Sequence, residues 1–250
     1  MAEQELAGAT ALVTGASRGL GRGIAIALHK AGAHVVGVAR DRAPLDDLRS
    51  ELGESFTAVA ADAADPTVAG QLIDAYHPRI LVLNAGASLL MRPLQHHTWE
   101  TFSVNWQTDV RIAFHWLREA LGKPLPPGSR VVVVSSGAAL AGSPLSGGYA
   151  GAKATLRFIT AYAQDEATRA GLGITFTALL PKIAPQTGVG RPAVQAYAAR
   201  AGQSEEEYLQ PQGGPLTPEI VGQAVLELVT GHAHDQDAYL LTAAGLRPLP

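Results

Sequence analysis

The feature that most constrains this chain is a glycine turn set between a short apolar run and a helical stretch. Thr10–Thr14 reads TALVT, the turn follows as GASRGLG from Gly15 to Gly21, and an amphipathic segment continues to Ala31. Glycines at such a junction permit a tight turn and let the backbone approach a ligand closely. The first N–H groups of the helix then face the turn and favour an anion such as a phosphate. Gly15, Gly19 and Gly21 are spaced more widely than the commoner dinucleotide fingerprint. The turn alone therefore leaves a ligand-free αβ connection as an open alternative.

The rest of the chain repeats the same alternation. His34–Val38, Thr57–Ala60, Ile80–Leu83, Arg130–Val134 and Ile174–Leu180 are short, nearly continuous apolar runs. Without period-2 alternation they fit strands buried on both faces of a parallel sheet. Helical segments lie between them. Asp65-Pro66-Thr67 and Thr217-Pro218-Glu219 each read as a cap followed by proline at a helix start. Thr98–Leu121 and Tyr149–Ala170 are the longest helical stretches. The order predicts an α/β fold: one doubly wound, Rossmann-type parallel sheet of about seven strands with helices on both faces. Tyr239–Leu241 reads as an edge strand, and residues 1–250 read as one domain. Lys182–Pro215 differs, being rich in Gly, Pro and Gln with a short helical piece at Ala193–Arg200. Its place beyond the sixth strand, at the carboxyl edge of the sheet, is where a substrate lid is expected.

Composition removes several function classes. The net charge is -3, and only four of the 19 basic residues are Lys. With no run of like charge, the chain offers no basic face for nucleic acid or an anionic membrane. There is no Cys, hence no disulfide and no thiolate metal site. Met1–Glu5 is polar and acidic, unlike a targeting peptide, and no apolar stretch approaches the ~20 residues of a membrane helix. A cytoplasmic protein is expected. His96-His97 has no carboxylate cluster beside it and reads as a solvated loop, so no metal is expected. Trp99, Phe102, Trp106 and Trp116 share helical spacing and read as packing aromatics.

Taken together, the turn TGASRGLG and the segments after it resemble the short-chain dehydrogenase/reductase family over about residues 7–245. The resemblance implies cofactor contacts from Gly15, Ser17, Arg18, Gly19, Leu20 and Gly21. It makes Asp62, with Ala63, the adenine contact, and matches Asn84-Ala85-Gly86 to the family's Asn-Asn-Ala-Gly, with Leu83 in place of the first Asn. Pro181, Ile183 and Thr187 would meet the nicotinamide end. Here Lys182 replaces the family's glycine after Pro181, and Thr187 is set one residue further on than usual. At the end of the second strand, an NAD-selective site places a carboxylate on the ribose 2′-hydroxyl. That stretch reads Ala39-Arg40-Asp41. Arg40 and Arg18 suit a 2′-phosphate, since guanidinium forks match phosphate geometry. NADP(H) is therefore expected. NAD(H) is the alternative if Asp41 faces the ribose.

The sharpest candidate for chemistry is Tyr149-Ala150-Gly151-Ala152-Lys153. Residues four apart share one helix face. Ser136 lies 13 residues before Tyr149, at the end of an apolar run, and Asn105 lies earlier in a long helix. This ordered set resembles the family's Asn–Ser–Tyr–Lys tetrad. Carbonyl reduction needs a hydride and a proton. A phenol is a weak acid, and a neighbouring ammonium favours its phenolate. Tyr149 is thus the expected general acid/base and Lys153 the charge beside it, also binding the nicotinamide ribose. Ser136 is the hydroxyl holding the substrate oxygen. The resemblance implies that Asn105 anchors a water linking Lys153 to solvent. Ser135 neighbours Ser136, and strand alternation would turn only one of the two toward the site.

These readings predict an NADPH-dependent oxidoreductase of a carbonyl/alcohol pair. The alternatives are a non-catalytic NADP(H)-binding sensor or interaction protein, and the same residues running an epimerisation or dehydration. The substrate pocket is expected from Ala87–Leu94, Ala138–Leu145 and the lid, the first two mostly apolar. The family resemblance also implies a homodimer or homotetramer, with the long Thr98–Leu121 helix at the interface.

Overall fold

The computed structural model describes residues 5–212, 214–231 and 236–250. Met1–Gln4, Gly213, and His232–Asp235 lie outside the described residues. The first strand, β1 (Thr10–Thr14), feeds α1 (Gly19–Lys30), and the pattern continues with β2 (His34–Ala39), α2 (Arg42–Leu52), β3 (Phe56–Ala60), α3 (Val68–Tyr76) and β4 (Ile80–Leu83). Then come α4 (Trp99–Asn105), a π-helical segment (Trp106–Val110), α5 (Arg111–Gly122), β5 (Arg130–Val134), a short α6 (Ala138–Ala141) and α7 (Tyr149–Arg169). The chain closes with β6 (Thr175–Pro181), α8 (Gly190–Ala201), α9 (Glu205–Leu209), α10 (Pro218–Thr230), β7 (Ala238–Thr242) and β8 (Gly245–Pro248).

All these strands join one sheet in the order β3-β2-β1-β4-β5-β6-β7-β8. Pairing is parallel from β3 to β7 and antiparallel between β7 and β8. The continuous apolar runs are explained by two cores. Successive strand residues point to opposite faces. Val13, Val35, Val82 and Val132 pack with Ile24, Leu45 and Val225 on one face, while Leu12, Val36, Leu81 and Val131 pack with Trp116, Leu156 and Phe176 on the other. Strand order reverses between β1 and β4, which opens a crevice beyond their carboxyl ends.

The structure departs from the sequence pattern at three places. The sheet has eight strands rather than about seven: β8 is the edge, and the run at Tyr239–Leu241 pairs on both sides. Asp65-Pro66-Thr67 precedes α3 instead of opening it, because the Asp65 carboxylate accepts from the Thr67 amide (2.8 Å) and hydroxyl (2.7 Å) in a local turn. The Thr98–Leu121 helix is broken by the π segment at 106–110. Thr217 does cap its helix, its hydroxyl accepting from the Ile220 amide, with Pro218 at the start. Among the described residues, no helix is long and apolar enough to cross a membrane.

Candidate active site

A cleft of about 830 Å³ lies at the crevice beyond β1 and β4. Its walls include Gly15, Ser17, Arg18, Gly19, Leu20, Arg40, Asp62, Ala63, Asn84, Ala85, Gly86, Ser136, Tyr149, Lys153, Pro181, Ile183 and Thr187. Of the cofactor-binding and catalytic candidates read from the sequence, Gly21 and Asn105 are the two that do not line it. A Cβ at Gly21 would sit 2.1 Å from the Gly15 carbonyl oxygen, so glycine there lets the turn fold back on the helix. Asn84 braces the same turn, its amide donating to the carbonyls of Thr14 (3.2 Å) and Gly15 (3.3 Å).

The turn fits a dinucleotide. Arg18, at the N-cap of α1, makes no side-chain capping bond, and the first turn of α1 carries no acid. The amides of Gly19, Leu20 and Gly21 thus lack a side-chain cap, and the helix dipole adds partial positive charge where an anion would lie. Arg18 and Arg40 are exposed, line the cleft and have no ion-pair partner among the described residues. Asp41 lines the cleft too, and its carboxylate leaves α2 uncapped.

Three of the four catalytic candidates line the same cleft. Tyr149 opens α7, and Lys153, one turn on, is buried with its Nζ 5.6 Å from the Tyr149 ring centroid. Ser135 and Ser136 both line the cleft, where alternation predicted only one. The strand ends at Val134, so its alternation no longer governs them. Their hydrogen bonds separate them instead. The Ser135 hydroxyl donates to the Lys153 carbonyl (2.7 Å) and holds α7 against β5, whereas Ser136 Oγ accepts from the Ala138 amide (3.2 Å) and keeps its proton to donate. Asn105 is buried behind the wall, its amide reaching the Ala87 carbonyl (3.4 Å) and Asp109 Oδ1 (3.5 Å).

Asp109 was missed from the sequence. Its Oδ2 lies 3.2 Å from Lys153 Nζ, both groups being buried, and its Oδ1 accepts from the Ala87 amide at 2.8 Å. Lys153 also donates to the Val134 carbonyl at 3.2 Å. Burial disfavours the ammonium, but the Asp109 carboxylate and the Tyr149 phenol outweigh it and hold the Lys153 pKa above its usual value. The available signal was an acid at position 109 on the helix side that also carries Ile112 and Trp116, since a carboxylate on a buried face needs a partner.

The segment from 182 to 215 forms the remaining wall through Lys182, Ile183, Ala184, Thr187, Ala193, Tyr197 and Tyr208. Thr187 spends its hydroxyl locally, donating to the Ala184 carbonyl and accepting from the Gly190 amide (2.9 Å each). Tyr197 was also unforeseen: its hydroxyl pairs with Ser143 Oγ at 2.8 Å and accepts from the Leu145 amide at 3.0 Å. Lys182 keeps its backbone in register with β7, donating to the Leu241 carbonyl, and its side chain is exposed. His97, expected in solvent, is tied to Thr101 (3.2 Å) and to the Arg92 carbonyl (3.1 Å).

The doubly wound sheet, the glycine turn at its switch point and the Ser–Tyr–Lys group beside it define a dinucleotide-binding protein of the dehydrogenase type. The family model for short chain dehydrogenase matches residues 9–197, and the chain belongs to that family. It is 36% identical over 159 residues to the L-xylulose reductase of Bos taurus, covering 62% of this chain and 64% of that one. The L-xylulose reductase of Mesocricetus auratus is 42% identical over 106 residues, which span 43% of its length and 42% of this chain. A hydroxynaphthalene reductase-like protein of Metarhizium brunneum is 32% identical over 71% of this chain and 69% of its own. The matches thus span 43% to 69% of the length of these relatives. Among solved structures, 3-ketoacyl-(acyl-carrier-protein) reductase from Brucella melitensis, complexed with NADH, superposes with a TM-score of 0.77 at 25% identity, covering 94% of this chain and 97% of that one.

Proposed function

We propose that the chain is an NADPH-dependent oxidoreductase acting on a carbonyl/alcohol pair, with Tyr149 as general acid/base. The observation that supports this reading is that Tyr149, Lys153 and Ser136 line the same cleft as the glycine turn. A bound nicotinamide supplies the hydride. Ser136 donates a hydrogen bond to the substrate oxygen and stabilises the charge that develops there. Tyr149 delivers its proton to the same oxygen, and the Lys153 ammonium stabilises the phenolate left behind. Lys153 also holds the nicotinamide ribose, while Asp62 and Ala63 meet the adenine. Pro181, Ile183 and Thr187 bound the nicotinamide end. Arg18 and Arg40, without an ion-pair partner among the described residues, select the 2′-phosphate. Residues 182–215 act as the substrate lid of a one-domain protein.

The test is Tyr149→Phe. Turnover of a carbonyl panel with NADPH is expected to vanish while NADPH binding, followed by fluorescence, persists. Full turnover in this variant sinks the reading. A sensor without catalysis is the outcome if the wild type binds NADPH tightly and reduces nothing in the panel.

The same reading takes the protein as a cytoplasmic homo-oligomer. Trp99, Trp106, Phe114, Phe158 and Tyr162 are exposed on α4, the π segment, α5 and α7. Of the four aromatics read as packing, only Trp116 is fully buried. Apolar surface of this kind is normally covered by a partner.

A further inference from the structure

We propose that Asp109 is a positioning residue for Lys153: its carboxylate, wedged between the Gly86–Ala87 backbone and the ammonium, fixes the lysine beside Tyr149. The inference rests on the oxidoreductase reading for its kinetic arm only.

Three observations carry it. The first is the ion pair itself, 3.2 Å from Oδ2 to Nζ, with both side chains almost wholly withdrawn from solvent. Buried charges are retained only when paired and hydrogen-bonded, and here Asp109 is the sole carboxylate partner of Lys153 among the described residues. The second is the fit of the carboxylate to the backbone beside it. A Cβ at Gly86 would lie 2.8 Å from Asp109 Oδ2 and 3.0 Å from its Cγ, so glycine at 86 is what makes room for the carboxylate. The Ala87 amide then pins Oδ1 at 2.8 Å. The third is the π segment. Such widened turns are rare and concentrate at functional sites; this one spans 106–110 and carries Asp109 as a buried residue.

The arrangement assigns Asn105 a role behind Asp109, since its amide reaches Asp109 Oδ1 and the Ala87 carbonyl rather than Lys153. The titratable groups facing Lys153 are Asp109, from the π segment, and Tyr149, from its own helix. From β5 it meets only the neutral Val134 carbonyl. Asp109 therefore sets how long the lysine stays an ammonium as pH rises, and with it the charge beside the phenol.

The experiment titrates the lysines directly by NMR, with 13C at Cε. There are only four, Lys30, Lys123, Lys153 and Lys182, and the Lys153 signal is assigned by its loss in Lys153→Met. In the wild type, Lys153 is expected to titrate above the ordinary lysine value. In Asp109→Asn its midpoint is expected to drop below that value, while the signals of the other three lysines keep their positions and report an intact fold. An unchanged Lys153 midpoint overturns the proposal. Should Asp109→Asn not fold, Gly86→Ala takes its place, because the added methyl drives the carboxylate off the lysine, and the same drop is expected. In turnover, the loss of kcat in Asp109→Asn is expected to be about tenfold larger near about pH 9 than near about pH 7, with KM for the cofactor within about threefold. An equal loss at both pH values overturns the positioning role. A wild type without turnover but with the expected Lys153 shift instead overturns the oxidoreductase reading and leaves this assignment standing.

Discussion

Arg18 and Arg40 enter the cleft from two different connections, one after β1 and one after β2, and among the described residues neither guanidinium is held by a carboxylate. A charge-assisted bond to a phosphate is worth about 1.5–3 kcal/mol, roughly tenfold or more in affinity. Arg40→Ala is therefore expected to weaken NADPH binding by about tenfold and leave NADH within about twofold. A fluorescence titration with both cofactors checks it, and equal weakening of the two moves selectivity to Asp41. A second effect belongs to His29. Its Nε2 lies 3.0 Å from the Leu52 carbonyl, its Nδ1 is buried without a partner, and burial lowers its pKa, with His34 and Lys30 adding to the effect. Protonation would add an N–H with no acceptor. The folded state favours the neutral ring, so His29 contributes stability that is full above about 6.5, the ordinary value, and lost as pH falls through the lowered one. Melting temperature should fall on acidification, and His29→Gln should flatten part of that slope. At this scale, Tyr149, Lys153 and Ser136 were legible because they keep order and spacing within short segments. Asp109 was not, because its meaning depends on a lysine that lies on another helix, joined to it only through the fold.

Among the elements, the strands were the easiest to read, since two-sided burial leaves unbroken apolar runs such as ILVL and RVVVV. Helix starts were legible where a hydroxyl cap and a proline coincide. Thr217 shows the energetics: Thr217→Ala removes the acceptor for the Ile220 amide and is expected to cost about 1 kcal/mol, seen as a drop of about 2–4 °C in melting temperature. No change in a thermal scan would mean that water replaces the cap. Asp65 misled because an aspartate beside proline also closes a local turn, and its carboxylate satisfied Thr67 before the helix began. The π segment had no sequence signal. Its residues fit an ordinary helix, and the extra width is dictated by what packs against it, including the buried Asp109. β8 was overlooked because Gly245–Pro248 is short, half-exposed and carries a proline, all features of an edge.

For the molecule as a whole, the exposed aromatic face across α4, α5 and α7 predicts association. Phe158→Asp is expected to shift the protein toward monomer in light scattering while NADPH binding persists, and a monomeric wild type would remove the reading of that face as an interface. The two cores lie on opposite sheet faces, and the sequence carried them because each strand supplies both. Residues Lys182 to Tyr208 supply the remaining wall of the cleft. It is fastened twice: the Thr187 methyl lies beside Gly19 of the glycine turn, and the Tyr197 hydroxyl is tied to Ser143 and Leu145 ahead of α7. One strap thus crosses both compartments of the cleft. An occupant at either end of the cleft therefore bears on the segment that walls the other.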